Sequence, residues 1–253
     1  MPYFWVLKNS AIVSWLIHFV ISKDNILNKL VLSALLFFTL TMSAFASPYG
    51  TYDPKLVFKM QDSANGKSVS LDPQYLDQMI RDLVSHAMNY PPNFDSEQDK
   101  QRAVLNIKQL TGMLEIIFPY GGPNQNPEVL QRMAVLNSMG HNLDIEGCAA
   151  KADALYKRAL VLVPTNPRIN FEYGAFLAGV GKPADGIPYL ETALKGKNNM
   201  AAFSLGMAYL AQGDKTNAQK YLEIYAEQVP NDPNTAKILE AIKSGKIEFK
   251  RGG

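Results

Sequence analysis

The residues of this 253-residue sequence that most often do chemistry are three histidines, one cysteine and a glycine-lysine turn. No His-x-x-x-His or Glu-x-x-His spacing joins His86 or His141 to a second ligand, so neither marks a metal site. Both are read as structural or surface histidines. Gly179-Val180-Gly181-Lys182 has the glycines and lysine of a phosphate loop, but Pro183 stands where a Ser or Thr is needed. No G-x-S-x-G is present, and the Ser, His and Asp residues carry no nucleophile signature. Cys148 alone builds neither a disulfide scaffold nor a cysteine-based zinc site. It is either a partly buried free thiol or a thiol that pairs between chains. The expectation is a non-enzymatic protein with no cofactor and no metal.

With 47% apolar and 19% charged residues, the chain buries a real core and is neither disordered nor collagen-like. Its formal charge is +2, which gives no electrostatic reason to expect nucleic acid.

Residues 30–42, LVLSALLFFTLTM, form an apolar run too short for the roughly twenty residues of a membrane span. Lys29 precedes it and Ala44-Phe45-Ala46 follows, the pattern of a secretory signal peptide cut after Ala46. A buried core helix is the competing reading, but Pro48, Gly50 and Pro54 end any helix just beyond the run. Upstream, Ile12 to Ile21 is a second apolar stretch. It is either a first membrane helix, interrupted by His18 and preceded by Lys8, or part of an extension upstream of a translation start near Ile26 or Leu27. Of the 25 basic and 23 acidic side chains, a leader ending at Ala46 removes Lys8, Lys23, Lys29 and Asp24. The remaining chain is formally neutral. The expected location is the periplasm or the exterior, with membrane contact only through the uncleaved precursor.

The segment 47–72 reads as an extended, loop-rich arm: Pro48, Gly50 and Pro54, then Leu56-Val57-Phe58, then the turn-like Asn65-Gly66. A helical segment follows over 73–126. Asp72-Pro73 predicts an N-cap with proline at the first helical position, and Leu76, Ile80, Leu83 and Ala87 recur at helical steps. A second helix is predicted from about Ser96 to Phe118, with Ala103, Ile107, Leu110, Leu114 and Ile117 on one side. No stretch alternates long enough to argue a sheet. The chain reads as all-α.

From Pro127 to the end, 127–253, the pattern becomes repetitive. Gly140, Gly147 and Ala152 recur as Gly174, Gly181 and Gly186, then as Gly206, Gly213 and Ala218. The first glycine of each set suits close approach of two helices, and the second suits a left-handed turn. Pro164 and Pro230 stop second helices, and Asn166-Pro167 and Asp232-Pro233 start the next ones.

Around these landmarks, residues 127–243 resemble the tetratricopeptide repeat family. Met139-Gly140, Leu143, Gly147, Ala152, Tyr156, Ala159 and Pro164 carry the first unit. Tyr173-Gly174, Leu177, Gly181, Gly186, Leu190 and Ala193 carry the second, with Asn198 where the family has proline. Leu205-Gly206, Tyr209, Gly213, Ala218, Leu222 and Pro230 carry the third, with Tyr225 at a usually small position. The resemblance implies a right-handed solenoid of three helix pairs plus a capping helix, preceded here by two further helices and the arm.

It also implies a concave face built from the first helices, meeting a protein ligand through Asn137 and His141, Arg168, Phe171 and Ala175, and Met200, Phe203, Met207 and Leu210. An apolar groove with methionines suits an amphipathic or apolar segment. In the competing reading, some of these residues pack between repeats, or Leu56-Val57-Phe58 fills the groove. The expected function is a periplasmic adaptor that holds another envelope protein, as in secretion, pilus or cell-wall machines. The alternative is a holdase-like chaperone for exported chains.

Overall fold

The computed structural model describes residues 47–63, 66–119, 122 and 125–245. The expected leader, its upstream extension and the basic end at Lys246, Lys250 and Arg251 lie outside the described residues.

The arm is not simply extended. Ser47 to Asp53 forms an irregular strap, and a single 3-10 turn follows at Pro54–Val57, capped by Asp53. An antiparallel hairpin comes next, β1 (Phe58–Ser63) and β2 (Gly66–Leu71), in register Phe58 to Leu71 and Met60 to Val69. Its two faces differ as period-two pairing requires: Phe58, Met60, Val69 and Leu71 on one, Lys59, Gln61, Ser68 and Ser70 on the other. The alternation covers so few residues per strand that polar serines and lysines hide it. Phe58 and Leu71 pack on the core, whereas Met60 and Val69 are exposed.

α1 (Pro73–Ala87) opens where Asp72 accepts the Gln74 and Tyr75 N–H groups, and α2 (Glu97–Ile117) where Ser96 accepts that of Asp99. Three helix pairs follow: α3 (Pro127–Asn142) with α4 (Cys148–Leu162), α5 (Pro167–Gly179) with α6 (Pro183–Lys195), and α7 (Met200–Ala211) with α8 (Lys215–Gln228). α9 (Pro233–Lys243) closes the stack on α8. Asn126, Asn166 and Asp232 each accept two N–H groups at the head of a proline-initiated helix. The described residues form an all-α helical solenoid apart from one hairpin.

Within each pair the helices meet at the predicted glycines. A Cβ on Gly140 would lie 2.7 Å from Cys148 Sγ, and one on Gly206 would lie 2.6 Å from Leu222 Cγ. The turn glycines Gly147, Gly181 and Gly213 have φ of 77°, 80° and 79°, the left-handed region an L side chain resists. The step between the second and third units is short because Gly196 and Lys197, with φ of 68° at Lys197, turn directly into α7.

One apolar core runs from Tyr49 and Val57 through α1 to α4 and on to Leu177 of α5. The two helices before the repeats therefore share the first repeat's core. They are not a further repeat: α1 and α2 make little direct contact and pack instead on α3 and the turn at Pro54–Val57. A bidentate pair fastens α1 to α3, with Arg132 Nε at 2.6 Å and Nη2 at 3.0 Å from the two Asp77 oxygens. The guanidinium holds the Asp77 carboxyl below the usual carboxylate range. Because the folded value is depressed, this stabilisation is present above the ordinary aspartate value near 3.9 and is lost as pH falls through the folded value. Asp77→Asn should therefore cost about 1 kcal/mol at pH 7, allowing for the carboxylate's partial exposure, and less at acid pH as the carboxylate is protonated. Urea titrations of both proteins at neutral and acid pH check it.

Candidate protein-binding face

The nine expected ligand residues do not share one surface. Asn137 is wholly buried in α3, its Nδ2 donating to the Met133 carbonyl at 2.8 Å and its Oδ1 without a hydrogen-bond partner. α1, α2, α4 and α5 all pack on α3, so that position is closed to a ligand. Leu210 is also buried, because the capping helix brings Ile238, Leu239 and Ile242 against it. Phe203 is half-buried in the same cluster, its ring 5.2 Å from that of Tyr225. Phe171 packs partly on Leu190, Leu205 and Ala208. These side chains pack between helices, Phe203 against Tyr225 of α8 and Leu210 in the cluster that the capping helix closes, which repeat spacing alone does not show. Leu56-Val57-Phe58 does not fill the groove: Val57 is buried in the core of α1 and α2.

Solvent reaches Arg168, Met200, which is 48% exposed, and Met207, 38% exposed; His141, Phe171 and Ala175 are half-covered. Met200 and Met207 lie seven residues apart on α7, two turns along one side. A shallow cleft of about 470 Å³ opens between the starts of α5 and α7, lined by Arg168, Lys197, Asn198, Asn199 and Met200.

Arg168 is held in place by a residue that sequence reasoning missed. Its Nε donates to Glu172 Oε1 at 2.9 Å, and Gln131 Nε2 of α3 donates to Glu172 Oε2 at 2.6 Å. Burial pushes the Glu172 carboxyl up, and the two donors oppose that. An Arg-x-x-x-Glu pair on one helix was visible in the sequence, but nothing there reports that the acid is buried.

Cys148 is buried and its thiol is pushed up by desolvation, away from the reactive thiolate. Gly181 is a repeat turn and Pro183 opens α6, so no phosphate loop forms. His86 is buried, with Nδ1 2.9 Å from the Asn93 carbonyl. Among the described residues no cluster of His, Cys, Asp and Glu is placed to hold a metal ion, and no helix is long and apolar enough to cross a membrane.

No protein-family model matches the chain, and no curated protein matches it. Solved structures do. TTC0263, a thermophilic TPR protein of Thermus thermophilus, is 16% identical, with a TM-score of 0.50 over 68% of this chain and 82% of that one. YrrB, described as a TPR protein with an unusual peptide-binding site, is 13% identical, with a TM-score of 0.45 over 66% of this chain and 85% of that one. MamA is 19% identical, with a TM-score of 0.33 over 72% and 91%. The likeness to the first of these fixes the class of fold. The chain folds as a tetratricopeptide-repeat-type solenoid.

Proposed function

We propose that this protein is a non-catalytic adaptor of the cell envelope, exported by cleavage after Ala46, that holds a partner protein on the face formed by α5 and α7. The observation that carries the reading is the pair Met200 and Met207, exposed on one side of a first helix in a repeat solenoid. Exposed methionines adapt to varied apolar surfaces, and Arg168 beside them supplies a charged edge. The partner segment is apolar or amphipathic and about two helical turns long, to match the stripe.

Crosslinked affinity capture from envelope extracts, with the protein starting at Ser47 as bait, tests the reading. One partner should appear at fixed stoichiometry. Met200→Ser with Met207→Ser should weaken its binding about 30-fold or more, as loss of anchor side chains does. The melting temperature should move by no more than about 2 °C, because neither side chain is buried. Capture that is unchanged by the double substitution, or the absence of any partner, would reject this face. Phe203 is not a clean probe of binding, since removing its half-buried ring also weakens α7 against α8.

A further inference from the structure

The strap Ser47–Asp53 is held chiefly by side chains from α1 and α2. It belongs to no helix or sheet, and its backbone is gripped by side chains distant in sequence. Tyr49 N–H donates to Asp99 Oδ2 at 3.2 Å, and the Tyr49 carbonyl accepts from Arg102 Nη2 at 2.7 Å. Gly50 N–H donates to Asp82 Oδ2 at 2.9 Å. Carboxylates and a guanidinium that capture a peptide backbone make charge-assisted bonds, stronger than neutral ones.

The same segment is read for its side chains. Tyr49 is 2% exposed; its hydroxyl accepts from Asn106 Nδ2 at 2.9 Å, and its ring meets His86 and Phe94 edge-on. Tyr52 donates its hydroxyl to Asp82 Oδ2 at 2.9 Å, and burial with that carboxylate pushes the phenol up to about 12. A Cβ at Gly50 would stand 2.8 Å from the Tyr52 ring and 2.9 Å from Asp82 Oδ2, so no larger residue fits without displacement. Asp82 and His86 come from α1, and Asp99, Arg102 and Asn106 from α2, two helices with little direct contact of their own. The strap bridges them with side-chain hydrogen bonds, beside the α3 packing and apolar core that the two helices share.

The joint is also imperfect. His86 Nε2 and Arg102 Nε are buried there without hydrogen-bond partners; His86 Nε2 stands 3.4 Å from Asp82 Oδ1. Unmet polar atoms lower the free energy needed to open this contact relative to the apolar core beside it.

We propose that the cleft between α1 and α2 is a peptide-recognition site for a Tyr-Gly-x-Tyr segment, which the chain fills with its own strap as a separable ligand. The proposal does not depend on the adaptor reading or on the α7 face.

The test uses the full chain carrying Tyr49→Ala, which empties the anchor pocket. Hydrogen exchange should show α5 to α8 still protected and α1 and α2 no longer so. A synthetic peptide spanning Ser47 to Val57 should then bind one to one and restore protection to α1 and α2. The same peptide with Tyr49→Ala should bind at least about 30-fold more weakly, as loss of a buried aromatic anchor predicts. The wild-type chain should also bind the intact peptide weakly, because its tethered strap competes at an effective concentration on the order of millimolar. Absence of saturable binding, equal binding of the two peptides, or binding that leaves α1 and α2 unprotected overturns the proposal. So does loss of protection throughout α5 to α8 in both the Tyr49→Ala chain and the milder Gly50→Ala chain, since the strap would then not be separable from the fold.

Discussion

Gly186→Ala should destabilise the protein by about 2 kcal/mol, although alanine is the better helix former. Gly186 sits in the first turns of α6 with its Cα side against α5, and a Cβ there would lie 2.5 Å from the Gly174 carbonyl oxygen. That obstacle is backbone, so no rotamer change relieves it and the two helices must move apart. Separation also loosens Leu190, whose Cγ lies 2.6 Å from where a Gly174 Cβ would be. Replacing glycine by alanine inside a helix gains about 1 kcal/mol from propensity alone. Overpacking against a rigid neighbour costs typically about 1–3 kcal/mol and occasionally more, so packing wins here. Gly112→Ala is the contrasting measurement, because Gly112 lies inside α2 with nothing within 4 Å of its would-be Cβ. It should gain up to about 1 kcal/mol. Denaturant unfolding of both variants gives opposite signs if close helix contact is the reason for the repeat glycine at 186. Equal, small effects would show that α5 and α6 tolerate separation.

That contact was legible because glycine at a fixed repeat position has few uses other than close approach. The helix heads were legible for a similar reason: Asp72-Pro73, Asn126-Pro127, Asn166-Pro167 and Asp232-Pro233 combine a cap with a residue suited only to the first turn. The hairpin was not, because each strand offers only two apolar residues on one face, and Lys59, Ser68 and Ser70 are poor strand signals. The candidate binding face was legible only in part. Repeat spacing identifies which side of a first helix faces inward, but not whether another helix covers it. Asn137 is covered by the helices packed on α3, and Leu210 by α9, and both coverings depend on contacts distant in sequence. Tyr49 had no sequence signal at all. Its value as an anchor comes from Asp99, Arg102 and Asn106, some fifty residues on, which only folding brings to it.

Tyr156→Ala should cost about 3–5 kcal/mol and split unfolding into two steps. Tyr156 is fully buried at the junction of the first two repeats, its ring 5.4 Å from Tyr173 and 5.8 Å from Phe176. Tyr173 in turn lies 4.6 Å from Tyr189 of α6. This aromatic chain is how the large core of α1 to α5 continues into the later repeats. Beyond it the apolar clusters are small: Leu190, Leu205 and Ala208 at one junction, and Leu210, Ala218, Leu222 and Ile242 at the end. In a stack of this kind each unit is stabilised by its neighbours, so weakening one junction uncouples the two sides. The cavity left by a buried aromatic ring accounts for the magnitude. Calorimetry of the variant should show a lower transition for the α6 to α9 end and a higher one for the core built on α3 and α4. Hydrogen exchange in the wild type should already follow that gradient, with α8 and α9 opening before α3. A single sharp transition in Tyr156→Ala, or protection in α9 equal to that in α3, would mean that the small distal clusters hold as firmly as the central core.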